Sequence, residues 1–266
     1  MLRFRQLDIL LHRAAFLLAG LLVLPPLAFA QTVLLLSTGD SALDLQTRNV
    51  LQGAGYSVTV GNAYTSLAPA ELIGINVVLL LPNHNWNTGD MPLASQAALV
   101  SFVQNGGGLV TSEWTDWKVS QGDFATLSPI LPATSASQYR NISGLFYVQA
   151  TADSALNAGL GNHFVFSTDN YSGVESKLTA KAGATVFYTT LGGAGGAGVV
   201  GWANGSGRVM QFSTTAGPNE LANADYARLF VNSVAWTAQG VPEPSTCACL
   251  VLGLAFVGWR VTRRRA

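Results

Sequence analysis

Two short runs of apolar residues constrain the fold of this chain more than any other feature. Residues 32–37 read TVLLLS and residues 77–82 read VVLLLP, and neither run alternates with polar residues. A strand that is apolar on both faces must be covered on both faces, as strands inside a parallel sheet are. The two runs therefore predict a parallel sheet with helices on either side.

The segments around these runs alternate between helix and strand. We predict a helix from Ser41 to about Gly53. Ser41 and Asp44 make a capping box at its start, its apolar residues lie on one face, and glycines end it. The next predicted elements are a strand over residues 56–60, a helix over residues 92–104 and a strand over residues 109–112. Such alternation is typical of a doubly wound α/β fold.

Beyond Trp117 the pattern changes to short alternating segments separated by turn residues. Four predicted strands cover residues 145–150, 184–188, 199–203 and 208–213, with the hairpin signal Asn204-Gly205 between the last two. A closing helix is predicted over residues 219–238. The predicted fold class is therefore α/β, a flavodoxin-like, doubly wound, mostly parallel sheet with an antiparallel C-terminal extension.

The N-terminus has the composition of a secretory signal peptide. Arg3, Arg5 and Arg13 precede an apolar run over residues 14–24, and Ala28-Phe29-Ala30 forms an A-x-A cleavage site. We predict that signal peptidase removes residues 1–30 and that the mature protein begins at Gln31. Residues 31–240 are then long enough for one domain with a substantial core.

The C-terminal residues 241–266 contain three parts in order. Pro242-Glu243-Pro244 is followed by an apolar run over residues 247–259 and by Arg263-Arg264-Arg265. This tail resembles the PEP-CTERM sorting signal, which exosortase recognises in Gram-negative bacteria that make exopolysaccharide. The apolar run has 13 residues, whereas a comfortable transmembrane helix needs about 17–25, and the arginines would hold its end in the cytoplasm.

The resemblance implies an exported protein that is transiently anchored in the inner membrane through its tail. Exosortase processing would then release it to the cell surface or the extracellular exopolysaccharide matrix. The alternative is an ordinary tail anchor that is never processed. Exopolysaccharide is the expected partner besides the two processing enzymes.

The composition of residues 31–240 excludes several classes of function. This segment has 7 basic and 12 acidic residues, a formal charge of 7 − 12 = −5, and no basic cluster. Nucleic-acid binding is therefore not expected. Both cysteines, Cys247 and Cys249, lie in the tail, which excludes disulfides, thiolate metal sites and a cysteine nucleophile from the segment.

Several stretches of residues 31–240 resemble the class I glutamine amidotransferase-like superfamily, and most closely its ThuA-like branch. They are residues 99–110 (LVSFVQNGGGLV), Asp169-Asn170-Tyr171, residues 207–213 (GRVMQFS) and residues 232–236 (NSVAW). Amidotransferases place a cysteine at the elbow that follows the glycine-rich turn and strand, where this chain has Thr111-Ser112-Glu113. The ThuA-like branch tends to have a histidine there and a Gly-His later, where this chain reads TTAGP over residues 214–218. The resemblance thus implies the fold without the catalytic residues.

Polar and aromatic residues gather where the predicted parallel strands end. Ligands bind outside the carboxyl ends of the strands in such sheets, and indoles with carboxylates suit a sugar ring. The candidate ligand-binding residues are Asp40, His84, Trp86, Glu113, Trp114, Asp116 and Trp117. We expect at least one of the three indoles to expose its ring beside Glu113 or Asp116. The alternative is a set of loops whose polar residues cap helices and whose tryptophans cover the sheet edge.

Three catalytic or metal-binding arrangements are alternatives to simple ligand binding. Glu113 and Asp116 are the candidates for an acid–base pair of a glycoside hydrolase, although three-residue spacing in a loop does not set their separation. Ser112 as a nucleophile would need the G-x-S-x-G elbow, and a metal held by Asp40, His84 and Asp116 lacks ligand spacing. We expect no cofactor, no metal and a non-catalytic carbohydrate-binding surface protein; the alternative is a polysaccharide- or sugar-active hydrolase using Glu113 and Asp116.

Overall fold

The computed structural model describes residues 30–140, 144–168, 175–193 and 195–239. Eleven strands are seen in this part of the chain: β1 (Thr32–Ser37), β2 (Ser57–Ala63), β3 (Val77–Leu80), β4 (Gly108–Thr111), β5 (Ala133–Arg140), β6 (Gly144–Gln149), β7 (His163–Ser167), β8 (Glu175–Ala180), β9 (Thr185–Leu191), β10 (Ala197–Asn204) and β11 (Gly207–Phe212). The helices are α1 (Ser41–Gly53), α2 (Leu93–Gln104), α3 (Glu113–Ser120), α4 (Pro218–Ala222) and α5 (Ala224–Ala238), with short 3₁₀ helices at Tyr64–Ser66, Pro69–Leu72 and Ser128–Ile130.

The strands form one mixed sheet. Its parallel part has the order β2-β1-β3-β4-β11, which is the flavodoxin-like order when β11 is counted as the fifth strand. From β11 the sheet continues through β10, β9, β6 and β7, and these neighbours all run antiparallel. Strand β5 pairs with β8, and β8 joins β10. The predicted fold class, a mostly parallel central sheet with an antiparallel extension, is confirmed.

The apolar runs are buried on both faces because helices cover both sides of the sheet. Val33 and Leu35 of β1 pack in one core together with residues of α1 and α5. Their neighbours Leu34 and Leu36 point the other way and pack in a second core with residues of α2. Burying one such side chain stabilises a fold by about 1.5–3 kcal/mol, so these two cores hold the parallel strands in place.

The first helix has the predicted bounds but a different cap. Asp40, not Ser41, is the N-cap residue, and its side chain accepts hydrogen bonds from the backbone N–H groups of Ala42 and Leu43. Asp44 instead accepts hydrogen bonds from the hydroxyls of Ser37 and Thr38 and from the Thr38 backbone. The carboxylates at the start of α1 therefore tie it to the end of β1.

Two helical predictions were wrong in detail. Residues 113–120 form helix α3, whereas the sequence pattern suggested a loop, so Glu113 and Asp116 lie in one helical turn. The closing helix is interrupted at Asn223, whose backbone is extended and whose side-chain oxygen accepts from Asp225 N and Tyr226 N. An asparagine that satisfies these free N–H groups starts a new helix.

The predicted hairpin is confirmed between β10 and β11. Asn204 pairs with Gly207 across the antiparallel ladder, which leaves Gly205 and Ser206 as the two-residue loop. Gly205 has a φ of 61°, which glycine adopts without the steric cost that other residues meet.

Several predicted segments lie outside the described residues. They are the signal peptide before its last residue, including Ala28, the motif Asp169-Asn170-Tyr171, and the tail with Pro242, Glu243, Pro244, the 247–259 apolar run, Arg263, Arg264 and Arg265. Within the described ranges, no helix combines the length and the apolar character that crossing a bilayer requires.

Candidate functional site

The loops that follow β1 and β3 are fastened to each other at the carboxyl edge of the sheet. The side chain of Asn85 donates to the backbone oxygen of Ser37 at 2.8 Å, and its backbone N–H donates to Thr38. A methyl group at Gly39 would come within 2.8 Å of the Asn85 nitrogen, so only glycine allows this approach. Helix α3 joins the same edge because the Thr115 hydroxyl donates to the backbone oxygen of Leu80 at 3.1 Å.

Asp40 and His84 form the exposed polar part of this edge. The Asp40 Oδ2 atom lies 3.9 Å from His84 Nδ1, and the two side chains are 26% and 38% exposed. The other oxygen of Asp40 caps α1 through Ala42 at 2.9 Å. Asp40 therefore holds the start of the helix while it presents one oxygen beside an imidazole.

The three candidate tryptophans pack against one another. The rings of Trp86 and Trp114 are stacked, with centroids 4.5 Å apart and planes at 15°. Trp117 meets both rings edge-on, at 5.0 Å from Trp86 and 5.6 Å from Trp114. Trp114 is only 4% exposed, whereas Trp86 and Trp117 are half-buried. Trp114 is thus the buried support, and the other two rings are the ones that can meet a ligand.

A buried lysine holds the loop that carries Trp86. Lys118 Nζ donates to the backbone oxygens of Trp86 at 3.2 Å and Gly89 at 2.7 Å, and it pairs with Asp123 at 2.7 Å. The same ammonium lies over the rings of Tyr64 and Phe124. Because a buried cation must be paired to be tolerated, these contacts fix the loop conformation and the position of the indole.

Glu113 and Asp116 are buried beneath the antiparallel part of the sheet. They are 0% and 1% exposed, and α3 packs against β5 and β8. Glu113 Oε1 accepts a hydrogen bond from the Ser176 hydroxyl at 3.1 Å, and Asp116 Oδ1 accepts one from the side-chain amide of Gln211. Both carboxyl groups therefore face protein groups and not solvent.

This environment favours the neutral form of both acids. Burial, followed by the charge of Asp116 and a smaller effect of Glu175, raises the pKa of Glu113 well above its usual value, although the Ser176 hydrogen bond opposes the shift. Burial also raises the pKa of Asp116 well above its usual value, against the hydrogen bond from Gln211.

Sequence reasoning missed the residues that surround these acids. Glu175 and Ser176 come from β8, and Gln211 comes from β11. No local pattern in the sequence signals this cluster, because its members are brought together only by pairing between distant strands.

The elbow position after β4 lacks the geometry of a nucleophile. Ser112 has an extended backbone, with φ of −130° and ψ of 178°, and its side chain is buried. A nucleophile elbow instead holds its residue exposed on a sharp, strained turn.

The structure sorts the seven candidate residues into three groups. Asp40 and His84 form one pair, the three indoles form a cluster, and Glu113 and Asp116 lie buried behind them. In the described part of the chain, no three histidine, cysteine, aspartate or glutamate side chains are arranged to hold a metal ion. The metal set of Asp40, His84 and Asp116 is thus not assembled.

Comparison with known proteins identifies relatives of the fold. No protein-family model and no curated protein sequence matches this chain. A ThuA-like protein from Bacteroides uniformis matches with a TM-score of 0.60 and 13% identity, over 80% of this chain and 95% of that one. A cytoplasmic protein from Salmonella typhimurium matches with a TM-score of 0.58 and 14% identity, over 78% and 98%.

A third similar structure is the β-galactosidase from Bacillus circulans, with a TM-score of 0.53 and 13% identity, over 80% of this chain but only 31% of the enzyme. At these identities the likeness concerns the fold alone. The described residues have the ThuA-like, amidotransferase-like fold that the sequence motifs suggested.

Proposed function

We propose that this chain is an exported, non-catalytic PEP-CTERM protein of the cell surface or exopolysaccharide matrix, and that its ThuA-like domain binds carbohydrate. One observation carries the proposal. The segment that follows β4, where the resemblance places the reactive group of an amidotransferase, has a buried, extended Ser112 and two buried carboxyl groups.

The burial of this segment argues against chemistry on a large substrate. Ser112, Glu113 and Asp116 are each at most 1% exposed. A general acid or base must come within hydrogen-bonding reach of the substrate atom that it protonates or deprotonates. One oxygen of Glu113 instead accepts a hydrogen bond from β8 and one oxygen of Asp116 accepts one from β11, and the second oxygen of each group is also buried.

The indole cluster argues for binding at the neighbouring surface. Trp86 and Trp117 are half-buried, and the rings of both contact the buried Trp114. Fixed aromatic faces bind the apolar faces of sugars with little loss of side-chain entropy. Asp40 and His84 supply exposed hydrogen-bonding atoms on the same edge of the sheet.

The proposed destination rests on the two ends of the sequence. The A-x-A site precedes Gln31, and the PEP motif, apolar run and arginines follow residue 240. An exported protein sorted by exosortase meets exopolysaccharide at its destination, which fits a sugar-binding surface.

Processing at both ends gives the first prediction. Intact-mass analysis of the protein from a host that makes exosortase is expected to show a chain that starts at Gln31 and lacks the arginine cluster. The same gene in a host without exosortase serves as the control and is expected to yield a chain that keeps the tail. A mature protein that retains Arg263, Arg264 and Arg265 in the first host would identify the tail as a plain anchor.

Ligand binding gives the second prediction. Trp86→Ala is expected to weaken binding to oligosaccharides of the host exopolysaccharide by about 1–3 kcal/mol, or roughly 5-fold to 150-fold, the usual loss for an aromatic anchor. Isothermal titration calorimetry measures the affinity. Trp202→Ala is the matched control, because Trp202 is also half-buried but lies on β10 with its indole donating to Ile130.

The same titration tests the alternative, a polysaccharide-active hydrolase. The raised pKa of Glu113 favours this alternative, since a general acid must hold its proton near neutral pH. We expect the oligosaccharides to be bound and recovered intact. Release of reducing ends by the unmodified protein, abolished in Glu113→Gln, would refute the non-catalytic proposal. Equal affinities of the unmodified protein and Trp86→Ala would refute the indole site.

A further inference from the structure

The antiparallel extension exposes an apolar row on its outer face. Phe146 of β6 pairs with Val165 of β7 on one side and with Leu191 of β9 on the other. These side chains are 45%, 52% and 58% exposed. Directly paired residues of neighbouring strands project from the same face of a sheet, so the three form one continuous row across three strands.

The residues next to this row include no aspartate, glutamate, lysine or arginine. His163, Val148 and Thr189 form the adjacent row on one side, and Ser167 and Gly144 lie opposite each other on the other side. We call these eight positions the outer face. Residues 145, 147, 164 and 166, which alternate with them, are buried on the opposite side of the strands.

The apolar row is set apart from the other exposed apolar residues of the described chain. Leu45 lies on α1, Ile73 follows a 3₁₀ helix, and Leu93 starts α2. Each belongs to a different element, whereas Phe146, Val165 and Leu191 are in register. Contiguous exposed apolar surface marks interaction sites, and single apolar residues need no explanation.

A partner must approach this region through the face and not through the edge strand. The edge of β7 is covered by the side chain of Asn223, which donates to the backbone oxygen of Val165 at 3.2 Å. The side chain of Asn219 donates to Thr168 just beyond the strand. These side-chain amides donate to backbone oxygens that an added strand would need as hydrogen-bond acceptors.

The chemistry of the outer face decides between partners. It carries no aspartate, glutamate, lysine or arginine, while residues 31–240 have a formal charge of −5. A charged partner or an anionic bilayer would find no counter-charge here, and a sugar would find few hydrogen-bonding groups. A second copy of the chain, in contrast, brings an identical neutral apolar row and creates no like-charge pair. Depletion of charged residues is typical of the centre of homodimer interfaces.

We propose that the outer face mediates self-association, in which two copies pack their β6, β7 and β9 strands face to face about a twofold axis. An isologous contact of this kind uses the same surface on both subunits and closes at the dimer. Sheets packed face to face interdigitate their side chains, so Phe146 of each copy would insert between apolar side chains of the other.

The experiment measures the mass of the full chain, extracted in a mild detergent, by sedimentation over a range of concentrations. The unmodified protein is expected to dimerise, and Phe146→Glu is expected to raise the dimer dissociation constant by about tenfold or more, because it places two carboxylates in the apolar contact. Ile73→Glu is the control, since Ile73 is 82% exposed at a distant element and should not alter the mass. Val165→Lys provides a second test should Phe146→Glu fail to fold.

Each outcome bears on the proposal. Dissociation by Phe146→Glu or Val165→Lys, with Ile73→Glu still dimeric, supports it. A monomer at every concentration overturns it, as does a dimer that both substitutions on the face leave intact. A monomer that loses exopolysaccharide retention on Phe146→Glu would assign the face to sugar binding instead.

Discussion

Replacing Trp114 with alanine is expected to lower the free energy of unfolding by about 3–5 kcal/mol, the usual cost of deleting a large buried aromatic side chain. Trp114 is 4% exposed, and its ring contacts both Trp86 and Trp117. Its removal leaves a cavity and also takes away the surface on which the two half-buried rings rest. Denaturant unfolding, followed by far-ultraviolet circular dichroism, measures the change.

Trp86→Ala and Trp117→Ala are the matched controls for this effect. Both residues are only half-buried, so each substitution should cost less stability than Trp114→Ala. Trp114 itself is only 4% exposed, which sets it apart from the other two indoles. Equal stability losses in all three variants would mean that Trp114 is not the support of the cluster.

The parallel half of the fold could be predicted closely because its signals are local. Residues 32–37 are apolar throughout, and the glycines after residue 104 end one element before β4 begins. A strand covered on both faces and a helix stopped by glycine are recognisable without their partners. The bounds of β1 and α1 were accordingly predicted to the residue.

The antiparallel half was predicted only in part because its strands depend on distant partners. Strands β5 and β8 are largely polar, reading ATSASQYR and ESKLTA, and they are strands because they pair with each other. A polar segment without an apolar period carries no strand signal of its own. These are the strands that pack on α3, so the burial of Glu113 and Asp116 could not be foreseen.

In the candidate site, too, the sequence predicted the features that depend on strand order but not those that depend on side-chain packing. Strand order alone indicated that Asp40, His84 and the residues after β4 would lie at one edge of the sheet. It could not indicate that Trp114 would stack on Trp86, or that Gln211 would donate to Asp116. Those contacts depend on the tertiary packing around α3. This packing determines which candidate residues are exposed and which are buried.

The two buried acids, Glu113 and Asp116, are expected to make the stability of the protein depend on pH. The pKa values of Glu113 and Asp116 are raised in the folded state, chiefly by burial. Between the unfolded and the folded pKa the folded state binds more protons, so the free energy of unfolding falls as pH rises through this interval. Each group contributes a slope of at most about 1.4 kcal/mol per pH unit. We therefore expect chemical denaturation to show greater stability at mildly acidic than at alkaline pH.

Glu113→Gln isolates this contribution. Glutamine cannot ionise, but it keeps an oxygen that can accept a hydrogen bond from Ser176. The free energy of unfolding of the variant should therefore fall less steeply as pH rises. At alkaline pH the variant should be more stable than the unmodified protein. Glu71→Gln is the control of opposite sign. Burial is the largest single effect and raises the pKa of Glu71, but the hydrogen bonds from the Ala68 backbone and from Asn62 together lower it, so its contribution disappears as pH falls.

The comparison of the two variants shows whether the change of stability with pH comes from the buried acids or from removing any carboxylate. If the pH profile of Glu113→Gln matches that of the unmodified protein, Glu113 is ionised in the folded state and must be reached by water or by a cation. That result would also restore the carboxyl pair as a site open to a substrate. A profile flattened by Glu113→Gln but not by Glu71→Gln means instead that burial keeps Glu113 protonated as part of the core, where it does not act on a ligand.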